Sequence, residues 1–240
     1  DISKQKQIFK NIFNNIKYKK SKNIIYPLKP YYSTKNNMYT LIPVNNVKEI
    51  IYYWEIPLFF EYIKNKIWDI IADVIDGDEL TNIKYFLKEQ NLIQNFNCRI
   101  SDFGLLIITI SIDINDDIMT KMNEINQYLI YYLENLDKLN WNKIYDYHTT
   151  RRKIYFKYLD RVSDNTLVDL ISDNMHYYDT PYLYASSLVI DKDYDDLKKS
   201  LSILNFKNVN IILKFKDGET LDMKKDQFYN FKSEKYEPTQ

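Results

Sequence analysis

The sequence predicts an α+β domain: a mainly antiparallel sheet covered on one face by helices. Three observations carry this. Segments rich in β-branched and aromatic residues, near 38–56, 92–114 and 208–215, are grouped apart from segments with helical spacing near 67–92, 116–161, 165–175 and 193–204. The run after Gly104 alternates in two, Leu106, Ile108, Ile110 and Ile112 against Leu105, Ile107, Thr109 and Ser111, which requires one deeply buried face. With 240 residues and 45% hydrophobic content, the chain can also supply the core that such a sheet needs.

The elements follow in order. Residues 3–18 place Ile8, Phe9, Ile12, Phe13 and Ile16 on one stripe of an amphipathic helix whose other face is lysine and asparagine. Tyr26 to Pro30 and Ser33 to Asn37 read as an extended connector. Met38–Val44 and Val47–Ile56, separated by Asn45-Asn46, predict an antiparallel pair that stops at Pro57. Ile67, Ile70, Ile71, Val74 and Ile75 predict a helix, and after Gly77 the spacing of Leu80, Ile83, Phe86 and Leu87 predicts a second. Two strands follow, Leu92–Ser101 and Phe103–Ile114. Asn115-Asp116-Asp117 then starts a helix faced by Ile118, Met122, Ile125, Leu129, Tyr132 and Leu136. A second long helix covers 141–161 with Ile144, Tyr147, Arg151, Ile154 and Leu159 along it, and shorter helices cover 165–175 and 193–204. The last regular element is the strand Asn208–Phe215, ahead of a polar tail.

Composition excludes several functions. Lys+Arg and Asp+Glu both number 33, so no overall charge draws the chain to nucleic acid or an acidic membrane. The neutral total conceals seven Lys against one Asp in residues 1–25, about +6, and about −6 in the remainder. A basic amphipathic helix serves membrane surfaces or partners, but docking on its own protein is the commoner use. One cysteine, Cys98, allows no internal disulfide, and no long apolar stretch exists, so the chain reads as cytoplasmic. Only three glycines, Gly77, Gly104 and Gly218, leave no dinucleotide fingerprint or phosphate loop. The 23 tyrosines fit a codon bias more simply than a tyrosine-specific function.

Candidate chemistry is sparse. His148 and His176 share no metal-ligand spacing, so no zinc site is expected; His148 is expected on an exposed helical turn and His176 in an aromatic cluster with Tyr177 and Tyr178. Cys98 reads as a buried strand residue. Asp69, Asp73, Asp76, Asp78 and Glu79 form an acidic group about one turn, explained mainly by helix-start solvation, as are Asp191, Asp193, Asp195 and Asp196. Arg151-Arg152-Lys153 can pin a phosphate but lacks the stacking aromatics of an RNA site.

The order of these segments resembles the insulinase/pitrilysin family of zinc metallopeptidases. Met38 to Pro57 resembles the opening of its second, non-catalytic domain. Val74-Ile75 and Leu80 to Leu92 resemble its glycine-rich turn and "SLLSELKSKGW" helix, and Phe103–Ile114 its long apolar strand. Trp141 and Ile154-Tyr-Phe-Lys157 are similar to "EW" and "FRFK", His176-Tyr-Tyr178 to "HYY", and Lys235–Gln240 to the closing "WYGTQY". The resemblance implies a curved antiparallel sheet with helices on one face, one of four such domains around a peptide chamber. Residues 1–25 become the terminal helix of a preceding domain, 26–37 a linker, 38–216 the insulinase-like domain and 217–240 a tail leading to the next; Asp1 then lies inside a longer polypeptide.

The same resemblance implies that zinc and its general base lie outside this segment, so no residue here is catalytic or a metal ligand, and zinc belongs to the parent protein. Its implied partners are other domains of the same chain and a peptide or small-protein substrate, with no nucleic acid and no membrane. Family exosites pair a substrate's N-terminus with an edge strand beside a turn rich in His and Gly. The corresponding positions are Gln94, Asn95, Phe96, Asn97 and Cys98 for the strand, and Asp76, Gly77 and Asp78 for the turn, with Asp69 and Asp73 where histidines stand. Asn95→Pro is the expected block to strand addition. The implied function is walling the chamber and positioning peptides. The alternative is a degenerate, proteolytically inactive member acting as a structural or interaction module, such as one in a virus particle.

Overall fold

A computed structural model describes residues 2–14, 37–41, 43, 47–56, 64–77, 82–102, 106–115, 118–159, 163–175, 178–184, 186–189, 193–215, 224–225 and 230–235. The chain divides into two units, residues 1–31 and 32–240. The first contains helix α1, Ile2–Phe13. Ile8, Phe9 and Ile12 stand on one stripe of it, each more than half exposed.

The second unit opens with strands β1, Asn37–Leu41, and β2, Glu49–Ile56. Helices α2, Ile67–Ile75, and α3, Ile83–Glu89, come next, then strands β3, Asn95–Asp102, and β4, Leu106–Asp113. Helices α4, Ile118–Glu134, and α5, Trp141–Lys157, are joined by a 3-10 turn at Leu136–Lys138. Helices α6, Asp164–Asn174, and α7, Tyr194–Ile203, lead to β5, Asn210–Lys214, and to β6, Lys224–Lys225, and β7, Asn230–Lys235. The strands form one sheet in the order β3-β4-β2-β5-β1-β7-β6. Every pairing is antiparallel except β1 with β5.

The period-two reading of β4 holds. Ile108, Ile110 and Ile112 are completely buried, as are Ile50, Tyr52, Trp54 and Ile56 of β2 and Ile211 of β5. Against this face pack Ile67, Ile70, Ile71 and Ile75 of α2, Leu87 of α3, Ile125 and Leu129 of α4, Tyr145 of α5 and Leu197 of α7. Each large aliphatic side chain removed from water contributes about 1.5–3 kcal/mol. Three core aromatics place their polar groups on partners: Tyr52 Oη donates to Asn126 Oδ1 at 2.6 Å, Trp54 Nε1 to the Asn205 carbonyl at 2.9 Å and Trp141 Nε1 to the Leu136 carbonyl at 2.6 Å.

Three sequence expectations need correction. First, β1 and β2 run antiparallel but are not neighbours, because β5 lies between them. Ile211 and Leu213 bury in the sheet, and Glu49 takes Lys214 across the β2–β5 pairing at 2.8 Å, so a strand from the far end of the sequence outcompetes the local hairpin. Second, α5 does not carry His148 on an exposed turn: Tyr147 and Ile154 are 63% and 55% exposed, while the buried stripe is Trp141, Tyr145, His148 and Thr149. Those polar atoms find partners: Tyr145 Oη donates to the Asn65 carbonyl and Thr149 Oγ1 to the Tyr145 carbonyl at 2.7 Å. Third, Asn208–Phe215 does not hold the last strand, since β7 follows in the expected polar tail and pairs with β1. The Asn45-Asn46 turn lies outside the described residues.

Candidate functional site

β3 is one of the two terminal strands of the sheet, paired on one side with β4 over its whole length, and is the longer of them; the other, β6, spans two residues. Along it, Asn95, Asn97 and Arg99 are exposed while Phe96 and Cys98 are buried, so the strand is anchored by alternate side chains. The hydrogen-bonding phase can be read from β4. Ile114 N–H donates to the Lys48 carbonyl at 3.0 Å, so Ile114, Ile112, Ile110 and Ile108 direct their main-chain groups toward β2. Asp113, Ser111 and Thr109 therefore face β3, and their register partners Asn95, Asn97 and Arg99 spend their own amides on β4. The Gln94 amide joins Asn95 at Asp113, donating to its carbonyl at 2.7 Å. Main-chain groups of Phe96, Cys98 and Ile100 are left on the open side of the strand. Asn95→Pro would consequently break the β3–β4 ladder rather than the open edge.

Beside β3 packs α2, and the turn after α2 is held internally. Asn82, the N-cap of α3, accepts from the Lys84 amide at 2.9 Å and donates Nδ2 to the Val74 carbonyl at 2.7 Å. Lys84 Nζ lies 3.4 Å from Asp76 Oδ1. A Cβ at Gly77 would stand 3.3 Å from both Asn82 Nδ2 and the Val74 carbonyl, a closeness that favours glycine there. Asp78 lies outside the described residues. Cys98 is buried, as its place on a strand predicts, and burial pushes its thiol far up, helped by the negative charges of Asp76 and Asp73. It is an inert core residue.

The constellation that sequence reading missed is centred on Asp73. His148 is not on an exposed turn: it is 7% exposed, with Nδ1 3.4 Å from Asp73 Oδ2. Arg152 Nη2 reaches the same oxygen at 3.4 Å, and its Nη1 donates to the Ser187 carbonyl at 3.5 Å. Burial alone would raise the Asp73 pKa, but the His148 hydrogen bond and the charges of Arg152 and Arg151 together hold it below its ordinary value. Asp73, His148, Arg151, Arg152, Tyr155 and Ser187 line a pocket of about 220 Å³. Nearby, Lys66 Nζ donates to Tyr178 Oη at 2.9 Å, and burial followed by the Asp69 charge raises that phenol to about 12. His176 lies outside the described residues.

These features can be set beside known proteins. No family model and no curated sequence matches this chain. Solved structures do: pitrilysin matches with a TM-score of 0.75 and 16% identity, over 85% of this chain and 22% of pitrilysin. The fold is pitrilysin-like. The first half of the periplasmic protease PqqL from Escherichia coli has a TM-score of 0.62 and 15% identity, over 88% of this chain and 49% of that one. An inactive peptidase domain from Bordetella parapertussis has a TM-score of 0.52 and 14% identity, over 71% of this chain and 91% of its own length. This chain thus spans about a fifth of pitrilysin and half of the PqqL fragment.

Zinc is implied by the resemblance to zinc peptidases, and the described residues do not fit it. No group of three or more His, Cys, Asp or Glu converges among them. His148 and Asp73 form the nearest approach to a ligand pair, and Arg152 occupies the same carboxylate with positive charge. A zinc centre takes three or four protein ligands, so this pair does not make one. No helix among the described residues is long and apolar enough to cross a membrane.

Proposed function

We propose that this chain is a non-catalytic, peptide-positioning domain of a zinc metalloendopeptidase, walling a substrate chamber and holding an extended peptide on the open edge of β3. The observation that carries the reading is the terminal position of β3, with main-chain groups of Phe96, Cys98 and Ile100 on its open side. An extended peptide added there gains main-chain hydrogen bonds whatever its side chains, which suits a domain that handles varied peptides. The polar cleft of about 370 Å³ at the start of β3, between Lys48, Gln94 and Asp113, gives room for the end of such a strand. The pitrilysin-like fold supports placing the domain in a peptidase; zinc and catalysis then belong to other domains of the parent. A cytoplasmic location completes the reading and suits the unpaired Cys98.

The test uses a peptide of about eight residues, matching the length of β3, N-methylated at one position at a time. Binding should fall at every second position and be unchanged between them, the period of a strand ladder. Uniform tolerance of methylation would count against strand addition.

A second reading, a proteolytically inactive structural module, is favoured by the likeness to the Bordetella domain, which is described as inactive and whose length this chain nearly spans. Zinc content and cleavage of a quenched peptide by the full-length parent separate the two. A metal-bearing, cleaving parent supports the first; a metal-free, inactive parent supports the second.

A further inference from the structure

An exosite that captures a peptide's amino terminus needs free carboxylates or other acceptors, and here the candidate carboxylates are already engaged. Asp73 is taken by His148 and Arg152, and Asp76 by Lys84. The pocket around Asp73 has the opposite polarity. Arg151 and Arg152 bring two permanent positive charges against the single carboxylate of Asp73, whose oxygen His148 Nδ1 also approaches at 3.4 Å. The Arg152 guanidinium is under-used: both of its hydrogen bonds are 3.4–3.5 Å long, and its Nε is buried without a partner. Among the described residues Arg151, on the same helix, has no ion-pair partner of its own. Tyr155 contributes a phenol at the rim, 63% exposed. The volume of about 220 Å³ suits one small anionic group rather than a nucleotide.

We propose that the pocket formed by Arg151, Arg152, His148 and Tyr155 receives a carboxylate side chain of a bound peptide, selecting acidic peptides on this domain. The ligand's identity as a peptide rests on the strand-addition reading above; the pocket itself does not. Its position supports the link, because α2, which carries Asp73, packs on β3, the strand that would hold the peptide backbone. A planar guanidinium with a free edge matches a carboxylate in a two-point bond, which lysine cannot copy. Arg151 is the adaptable member, free to close over the incoming anion, while Arg152 is fixed by Asp73 and Ser187.

The experiment titrates the whole 240-residue chain with a dye-labelled peptide of the length of β3. Asp is scanned through its positions against matched Asn versions, and binding is followed by fluorescence anisotropy. At one position Asp should bind about tenfold more tightly than Asn, the scale of a charge-assisted contact. In Arg151→Gln that ratio should fall toward one, with binding of the Asn peptide unchanged and the circular dichroism spectrum intact. A ratio near one at every position in the natural chain overturns the proposal, as does a ratio that survives Arg151→Gln. If no peptide of either kind binds, the strand-addition reading fails, and N-acetylaspartate monitored through the His148 ring resonances decides the pocket separately. A saturable shift lost in Arg151→Gln upholds a carboxylate site, and no shift overturns it. Inorganic phosphate run in parallel separates sources: saturation by phosphate without saturation by N-acetylaspartate also overturns the carboxylate assignment.

Discussion

Asp73 sits on the solvent-facing side of α2, yet its carboxylate is the meeting point of three elements, since His148 and Arg152 come from α5 and Arg152 also binds the Ser187 carbonyl. Its pKa is lower folded than unfolded, because the favourable charges outweigh burial. Ionised Asp73 therefore stabilises the fold at pH values above the usual carboxylate range, and that contribution disappears as pH falls through the folded value. The side chain is 46% exposed, so solvent screening holds the effect to about 1 kcal/mol or less. Asp73→Asn should be slightly less stable than the natural chain at neutral pH, and the two should converge in strong acid when urea midpoints are compared across pH. A gap that widens in acid would reverse the sign of this argument. Asn82 offers a second residue-scale test. It caps α3 and ties Val74 to the turn, so Asn82→Ala should lose about 1–2 kcal/mol by thermal or urea unfolding.

At the scale of elements, β4 is the clearest case, being buried on alternate residues between β3 and β2. Ile108→Ala, at a completely buried position, should cost about 2–5 kcal/mol by urea unfolding. The same element shows why much of the fold was legible in advance. A strand with one face on the core writes its period into alternate positions, here Leu106, Ile108, Ile110 and Ile112, and α2 and α4 write theirs as helical stripes. The insertion of β5 between β1 and β2 left no such mark, because strand pattern records which face is buried and not which neighbour is paired. The burial of His148 was equally hidden. On α5 the buried stripe is Trp141, Tyr145, His148 and Thr149, which read as mixed polar and aromatic residues until their partners on other elements are seen. Asp73 and Arg152 are 79 residues apart, so the basic pocket has no local signature in the sequence. β3, Asn95–Asp102, lies at an edge of the sheet, and its outward phase follows only from the pairing of β4 with β2.

At the scale of the molecule, a pitrilysin-like fold carries the sheet edge at β3 and a basic pocket on the neighbouring helices. Helices pack on the buried face of the sheet, and β3 lies at its lateral edge, the place where the proposed peptide would add. Residue-resolved amide hydrogen exchange, with and without a saturating extended peptide, tests that central claim most directly. In the free protein the Asn95, Asn97 and Arg99 amides should be protected by β4, while those of Phe96, Cys98 and Ile100 exchange quickly. Peptide should slow the second set and leave the first unchanged. Fast exchange at Phe96, Cys98 and Ile100 that bound peptide does not slow would contradict the account.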